Sequence, residues 1–223
     1  STNQSMTIAT RVANDTELAG STPSSQLMNS ASGARLLLHE TAVNNTIARI
    51  DFNGKTMSEE ELRHHVEGFL TKALAREFKF APPTKPANYE ADADEEEKIP
   101  AKIAFAKVDP LRVSFSNGQV TLVIHAGLER EGKKPIPTQE IVVPMTIAVA
   151  GDQLSVTRGD LEISGIDGNL SPLERKVINS KIGAALPERK TTAKVKLPGS
   201  SQDVEAKITA VDVVGGWIAV SLQ

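Results

Sequence analysis

Between Ile103 and Ile163 apolar and polar positions alternate with a period of two, the spacing that sends successive side chains to opposite faces of a strand. Leu111, Val113 and Phe115 alternate with Arg112, Ser114 and Ser116, and Asn117-Gly118 follows. That dipeptide suits the two left-handed positions of a tight hairpin turn. Val120, Leu122 and Ile124 carry the apolar face back. A loop centred on Gly132, Lys133 and Lys134 leads to Ile141, Val143, Met145, Ile147 and Val149. Pro144 lies within that run and predicts an edge position or a bulge, because it has no N–H for a ladder. Gly151-Asp152 turns the chain into Leu154 and Val156, and Leu161 with Ile163 adds a short strand. The pattern predicts a meander of about five or six antiparallel strands.

On either side the period becomes helical. Leu36, Leu37 and Leu38 read as a short buried strand, followed by a helix from Thr41 to Ile50 with Val43, Ile47 and Ile50 on one face. Gly54 is suited to a left-handed cap after it. A second helix opens at Ser58, with Glu61 completing a capping box and Met57 and Leu62 in the staple positions. Leu62, Val66, Phe69, Leu70, Ala73 and Leu74 continue its apolar stripe until Pro82 and Pro83. A third helix has Ser171 as cap, Pro172 first and Glu174 third, with Leu173, Val177, Ile182 and Leu186 as its buried face. Two closing strands follow. Val204, Ala206 and Ile208 alternate, the phase shifts before Val211 and Val213, and Gly215-Gly216 turns into Trp217 to Val220. Segregated helices and strands predict an α+β fold: an antiparallel β-meander sheet with helices packed on one face.

Composition refines this picture. In a chain of 223 residues with 39% hydrophobic but 4% aromatic positions, the core must be aliphatic. Residues 1–34 read as a flexible N-terminal segment whose Met6, Ile8, Thr10 and Val12 alternate like one strand. Residues 35–223 read as a single α+β domain carrying an acidic linker at 81–100, where Glu90, Asp92, Asp94, Glu95, Glu96 and Glu97 repel one another. A net charge of −3 argues against a nucleic-acid partner. The absence of cysteine excludes disulfides and thiolate chemistry. No apolar run reaches the ~20 residues of a transmembrane helix, and the first residues lack the pattern of a signal peptide.

Candidate chemistry is sparse. His39-Glu40 begins like a zinc-protease helix, but Val43 stands where the second histidine is needed. His64 and His65 are adjacent and point about 100° apart on a helix, so they cannot share a metal. His125 falls at a strand end, on the face opposite Leu122 and Ile124, and is expected to be exposed. No nucleophile elbow or phosphate loop occurs. The acidic run lacks calcium-loop spacing, and the segment from Asp167 to Ser171 would need a ligand where Ile178 stands. Trp217, the single tryptophan, reads as a core plug at the last hairpin rather than a binding anchor. The expectation is a non-enzymatic chain with no metal and no cofactor.

The run LLLHETAVNNTIARIDFNGKTMSEEELRHHVEGFL and the closing GWIAVSL resemble an uncharacterised family of bacterial cell-envelope proteins. The pieces that carry the likeness are His39, Asn44-Asn45, Gly54, Asp109-Pro110 and Gly216-Trp217-Ile218. The resemblance implies a place in the cell envelope or a secreted location, within a longer exported protein, and supplies no activity. The element order is also similar to that of tubular lipid-binding modules, in which a twisted sheet wraps a long helix around acyl chains. That likeness implies a hydrophobic ligand held between sheet and helices, lined by Val113, Phe115, Leu122, Ile124, Val143 and Ile147. The alternative is a structural or protein-interaction module, whose uncovered apolar face meets a protein partner.

Overall fold

The computed structural model describes residues 20–24, 27, 34–62, 64–65, 100–186, 188–196 and 205–223. Strand β1 (Ala34–His39) runs into helix α1 (Glu40–Ile50), and β2 (Thr56–Met57) follows. The meander comprises β3 (Ala101–Phe105), β4 (Leu111–Ser116), β5 (Gln119–Arg130), β6 (Ile136–Ala150), β7 (Gln153–Arg158) and β8 (Glu162–Gly165). Helix α2 (Pro172–Ala185), β9 (Arg189–Thr192), β10 (Lys194–Lys196), β11 (Glu205–Val214) and β12 (Trp217–Leu222) complete the chain. Every strand pairing among the described residues is antiparallel. The fold is dominated by antiparallel sheet, in two pieces. An eight-stranded sheet has the order β2-β3-β5-β6-β7-β9, with β4 on β5 and β8 on β6, and a four-stranded sheet has the order β1-β12-β11-β10.

The two longest strands, β5 and β6, each change partner midway. β5 pairs with β4 through Gln119–Ile124 and with β3 through Ala126–Arg130. β6 pairs with β8 through Gln139–Val142 and with β7 through Met145–Ala150. Pro144 falls in the gap between those two partners, where no ladder N–H is required, and its carbonyl accepts the Gly159 N–H at 2.8 Å. It is therefore at neither the sheet edge nor the bulge, which lies between Ala126 and Leu128. Gly127 sits there because a Cβ would stand 2.4 Å from the Ile136 carbonyl oxygen. Asn117 and Gly118 have φ of 50° and 77°, as the hairpin signal required.

Register stacks the apolar positions into rungs. Leu111, Ile124, Ile141 and Ile163 form one rung, and Val113, Leu122 and Val143 the next. These join one core with Val177, Ile178 and Ile182 of α2, and Val43, Ile47 and Ile50 of α1 pack against it. Burial of each such side chain favours folding by about 1.5–3 kcal/mol. A smaller cluster holds Ala193, Ala206, Ile208 and Leu222. Ala193 is wholly buried where β9 hands over to β10, its N–H bonded to the Asp152 carbonyl and its carbonyl to the Ile208 N–H, both at 2.8 Å.

The helix ends follow the sequence closely. Ser171 and Glu174 form the expected capping box with Pro172 at the start. Ser58 and Glu61 form the other, the Ser58 N–H donating to the carboxylate at 2.7 Å and the Glu61 N–H to Ser58 Oγ at 3.1 Å. The continuation of that helix through Val66, Phe69, Leu70, Ala73 and Leu74, and the acidic linker, lie outside the described residues. Three expectations need correcting. The left-handed residue that ends α1 is Asp51, with Gly54 in the turn beyond it. Leu36 and Leu38 are 46% and 45% exposed rather than buried, because β1 is the end strand of its sheet. Leu173 is exposed and Ile178 buried; Leu173 lies five positions before Ile178, about 140° round the helix. The phase shift in β11 is present, between Ile208 and Ala210.

One set of contacts joins the pieces. Among strands β4 pairs only with β5, so its outer edge presents the N–H and C=O groups of alternate residues. Asn44 of α1 donates Nδ2 to the Val113 carbonyl and accepts the Val113 N–H on Oδ1, both at 2.8 Å. Glu40, one turn earlier, accepts the Phe115 N–H at 2.7 Å. The Gly216 N–H closes the set on the Phe115 carbonyl at 2.8 Å, and the Glu40 N–H bonds back to the Gly216 carbonyl at 2.9 Å. Side chains of a helix thus take the place of a neighbouring strand.

Asn44→Ala is expected to destabilise the chain by about 1–3 kcal/mol, two half-buried backbone groups losing their partner. Asn44→Asp is expected to be at least as damaging at neutral pH, because a carboxylate cannot donate to the Val113 carbonyl. Chemical denaturation checks both; an Asp variant as stable as wild type would refute the clasp. A second expectation concerns acid. The Ser171 backbone N–H, and then its hydroxyl, hold the Glu174 carboxyl below its ordinary value. A carboxyl lowered on folding adds stability that is present above its unfolded value and lost as pH falls through the folded one. Thermal melts of Glu174→Gln are therefore expected to fall less steeply toward acid than those of wild type, and parallel curves would contradict this.

Candidate functional site

One face of the four-stranded sheet is where residues distant in sequence meet. Register places Arg35, Leu37 and His39 of β1 on the same face as Trp217 and Ala219 of β12 and Asp212 and Val214 of β11. Arg35 and Asp212 form an ion pair there. Residues 20–24 come against this face from the N-terminal side. Ser21 Oγ lies 2.9 Å from His39 Nε2, and a cavity of about 380 Å³ opens between Ser24, Leu27, Arg35 and Asp212, with Gly118 and Val214 at its margin.

His39 is the centre of the cluster. It is the N-cap of α1, and its Nδ1 accepts the Thr41 N–H at 3.2 Å, beside Thr41 Oγ1 at 2.8 Å. Its ring meets Trp217 edge-on, with centroids 4.7 Å apart. Gly216 leaves room for it, since a Cβ there would stand 2.9 Å from Nε2. The Trp217 Nε1–H is buried with no acceptor among the described residues.

A serine hydroxyl at hydrogen-bond distance from an imidazole has the outline of an acyl-transfer pair, so the proton positions decide its meaning. A backbone N–H can only donate. Nδ1 therefore carries the lone pair, and in the neutral ring the proton sits on Nε2, facing Ser21. Nε2 then donates to Ser21 Oγ and cannot receive its proton. The helix cap and a general base require opposite tautomers, and the structure holds the cap.

The six residues expected to line a ligand lie in or beside the main core. Val113, Phe115, Leu122, Ile124 and Val143 are buried in the main core, with Ile147 partly buried at its margin. None of the six lines the cavity beside Arg35. His125 differs from expectation: its side chain is 17% exposed and tied at both ring nitrogens, Nδ1 2.6 Å from the Asp109 carbonyl and Nε2 3.2 Å from Glu140 Oε2. Strand pairing sets Glu140 directly opposite it. Among the described residues no three His, Asp or Glu side chains are grouped to hold a metal ion, and no helix is long and apolar enough to cross a membrane. No protein-family description, curated protein or solved structure matches the chain.

Sequence reasoning did not find the pairing of Ser21 with His39, of Arg35 with Asp212 or of Asn44 with Val113. The available signal was His39-Glu40-Thr41 itself, a polar group at the junction of strand and helix where caps belong. A fluorophosphonate probe is expected to leave Ser21 unmodified, because its hydroxyl keeps its proton. Stoichiometric labelling of Ser21, detected by peptide mass spectrometry, would show that the ring adopts the other tautomer.

Proposed function

We propose that the chain is a non-enzymatic structural or protein-interaction module of a larger exported protein of the bacterial cell envelope. The observation that carries this reading is the pair of leucines on β1. Leu36 and Leu38 are each nearly half exposed at the spacing of one strand face, on a strand that pairs on one side only among the described residues. An unpaired edge with an apolar row beside it suits a strand contributed by a protein partner: backbone bonds supply affinity and the two leucines supply contact. Two of the residues that carry the family likeness support the same reading, because His39 caps α1 and Asn44 holds β4. In this reading α1 and α2 close one face of the eight-stranded sheet and leave the four-stranded sheet as the contact surface.

The second reading is a hydrophobic ligand held between sheet and helices. It is supported by the far end of the β6–β7 hairpin, where Ile147, Val149 and Leu154 are only partly buried. Its lining is aliphatic, which suits an alkyl chain at about 0.8 kcal/mol per buried methylene.

Native mass spectrometry of the protein isolated from its own source separates the two. The expected result is a stoichiometric protein complex that is lost in the Leu36→Lys, Leu38→Lys double variant while the melting temperature is unchanged. A monomer carrying a retained lipid, unaffected by that double variant, would overturn the module reading in favour of the ligand.

A further inference from the structure

The segment from Ala106 to Pro110 joins β3 to β4 and is pinned from several sides. The Ala106 N–H donates to the His125 carbonyl at 2.8 Å, the Gly54 N–H to the Ala106 carbonyl at 2.9 Å, and the His125 N–H to the Pro110 carbonyl at 2.9 Å. Asp109 has a φ of 47°, a left-handed conformation that Asp adopts more readily than most non-glycine residues. The tip of the loop carries Val108, 79% exposed. The side chain that ties this loop to the sheet is His125.

Both nitrogens of the His125 ring face oxygen. The Asp109 carbonyl at Nδ1 can only accept, and the ionised Glu140 carboxylate at Nε2 can only accept. A neutral ring has one N–H. With that proton on Nδ1, a lone pair points at the carboxylate from 3.2 Å; with it on Nε2, a lone pair points at a carbonyl from 2.6 Å. The doubly protonated ring alone satisfies both. The charged groups around it are Glu140 from β6 and Asp109 of the loop, whose own carboxylate faces Arg112 of β4 at 3.8 Å. β8 adds the uncharged Ser164 hydroxyl, 3.4 Å from the other Glu140 oxygen. The nearest compensating charge for the imidazolium is thus Glu140.

We propose that His125 is a proton-dependent latch on the 106–110 loop. With two protons the ring joins the loop to β6 through a single side chain. When one proton leaves, one of the two ring ties becomes repulsive, and the loop is no longer joined to β6 through the ring and is held by its three backbone bonds alone. The contribution is present in the protonated state and is lost as pH rises. The latch makes the tightness of the loop that carries Val108, an exposed apolar residue flanked by Lys107 and Asp109, depend on pH.

The test uses the full chain labelled with nitrogen-15. Ring nitrogen shifts report the His125 protonation state, assigned by comparison with His125→Gln, and amide exchange corrected for its intrinsic pH dependence reports the Ala106 and His125 N–H groups that tie the loop. The expected result is that both ring nitrogens carry protons while the loop is protected, and that protection falls roughly tenfold or more as the ring loses one. In Glu140→Gln, where an amide can donate to a neutral ring, that pH dependence is expected to vanish while the loop stays protected. Loop protection indifferent to the ring's protonation state, or an unchanged pH dependence in Glu140→Gln, would overturn the proposal. Because Glu140 is 41% exposed, its replacement leaves the fold intact and the comparison readable.

Discussion

The constraint on which this architecture depends is the unpaired edge of β4. A strand with polar backbone groups along one side must bond to something, and here no strand is available. Asn44 supplies both halves of a strand-like pairing to Val113, Glu40 accepts from Phe115, and Gly216 completes the row. The consequences spread outward. The spacing of Glu40 and Asn44, one helical turn, fixes how α1 lies along β4. The bond from Glu40 back to Gly216 fixes where the β11–β12 hairpin sits, and so aligns the four-stranded sheet with the eight-stranded one. Val43 and Ile47, on the same helix, then reach the main core.

The same contacts give polar side chains of the HETAVNN run tasks within the fold. His39 and Thr41 meet at the helix cap, and Glu40 and Asn44 hold the edge of β4. His39 is the clearest case, because its role as a cap dictates the tautomer and with it what Ser21 can do. A hydroxyl and an imidazole at 2.9 Å are not by themselves a nucleophile and base; the neighbour on the opposite ring nitrogen decides.

What was legible in the sequence was whatever depends on neighbours in the chain. The Asn117-Gly118 and Gly215-Gly216 turns, both capping boxes, the period-two meander and the phase shift in β11 all arise from local conformational preference and appear where expected. What was not legible depends on pairing across long separations. Leu36, Leu37 and Leu38 read as buried because they are apolar, yet whether a strand is internal or terminal is a property of sheet order. Pro144 read as an edge or bulge; the finding that a strand exchanges partners around it needed the register of β7 and β8. For the expected ligand lining, period two shows which residues share a face and not whether that face meets a helix or a void. Here Val177, Ile178 and Ile182 meet it.

Ala193 links the two sheets in a manner that bears on mechanics. A single wholly buried residue bonds through its N–H to the β6–β7 turn and through its carbonyl to β11. Tension applied along β11 therefore has a direct route into the larger sheet through the backbone of one residue and two short bonds. A residue of that size, wholly buried, admits no added volume, so this junction is a stiff point that couples the sheets alongside the Gly216–Phe115 bond.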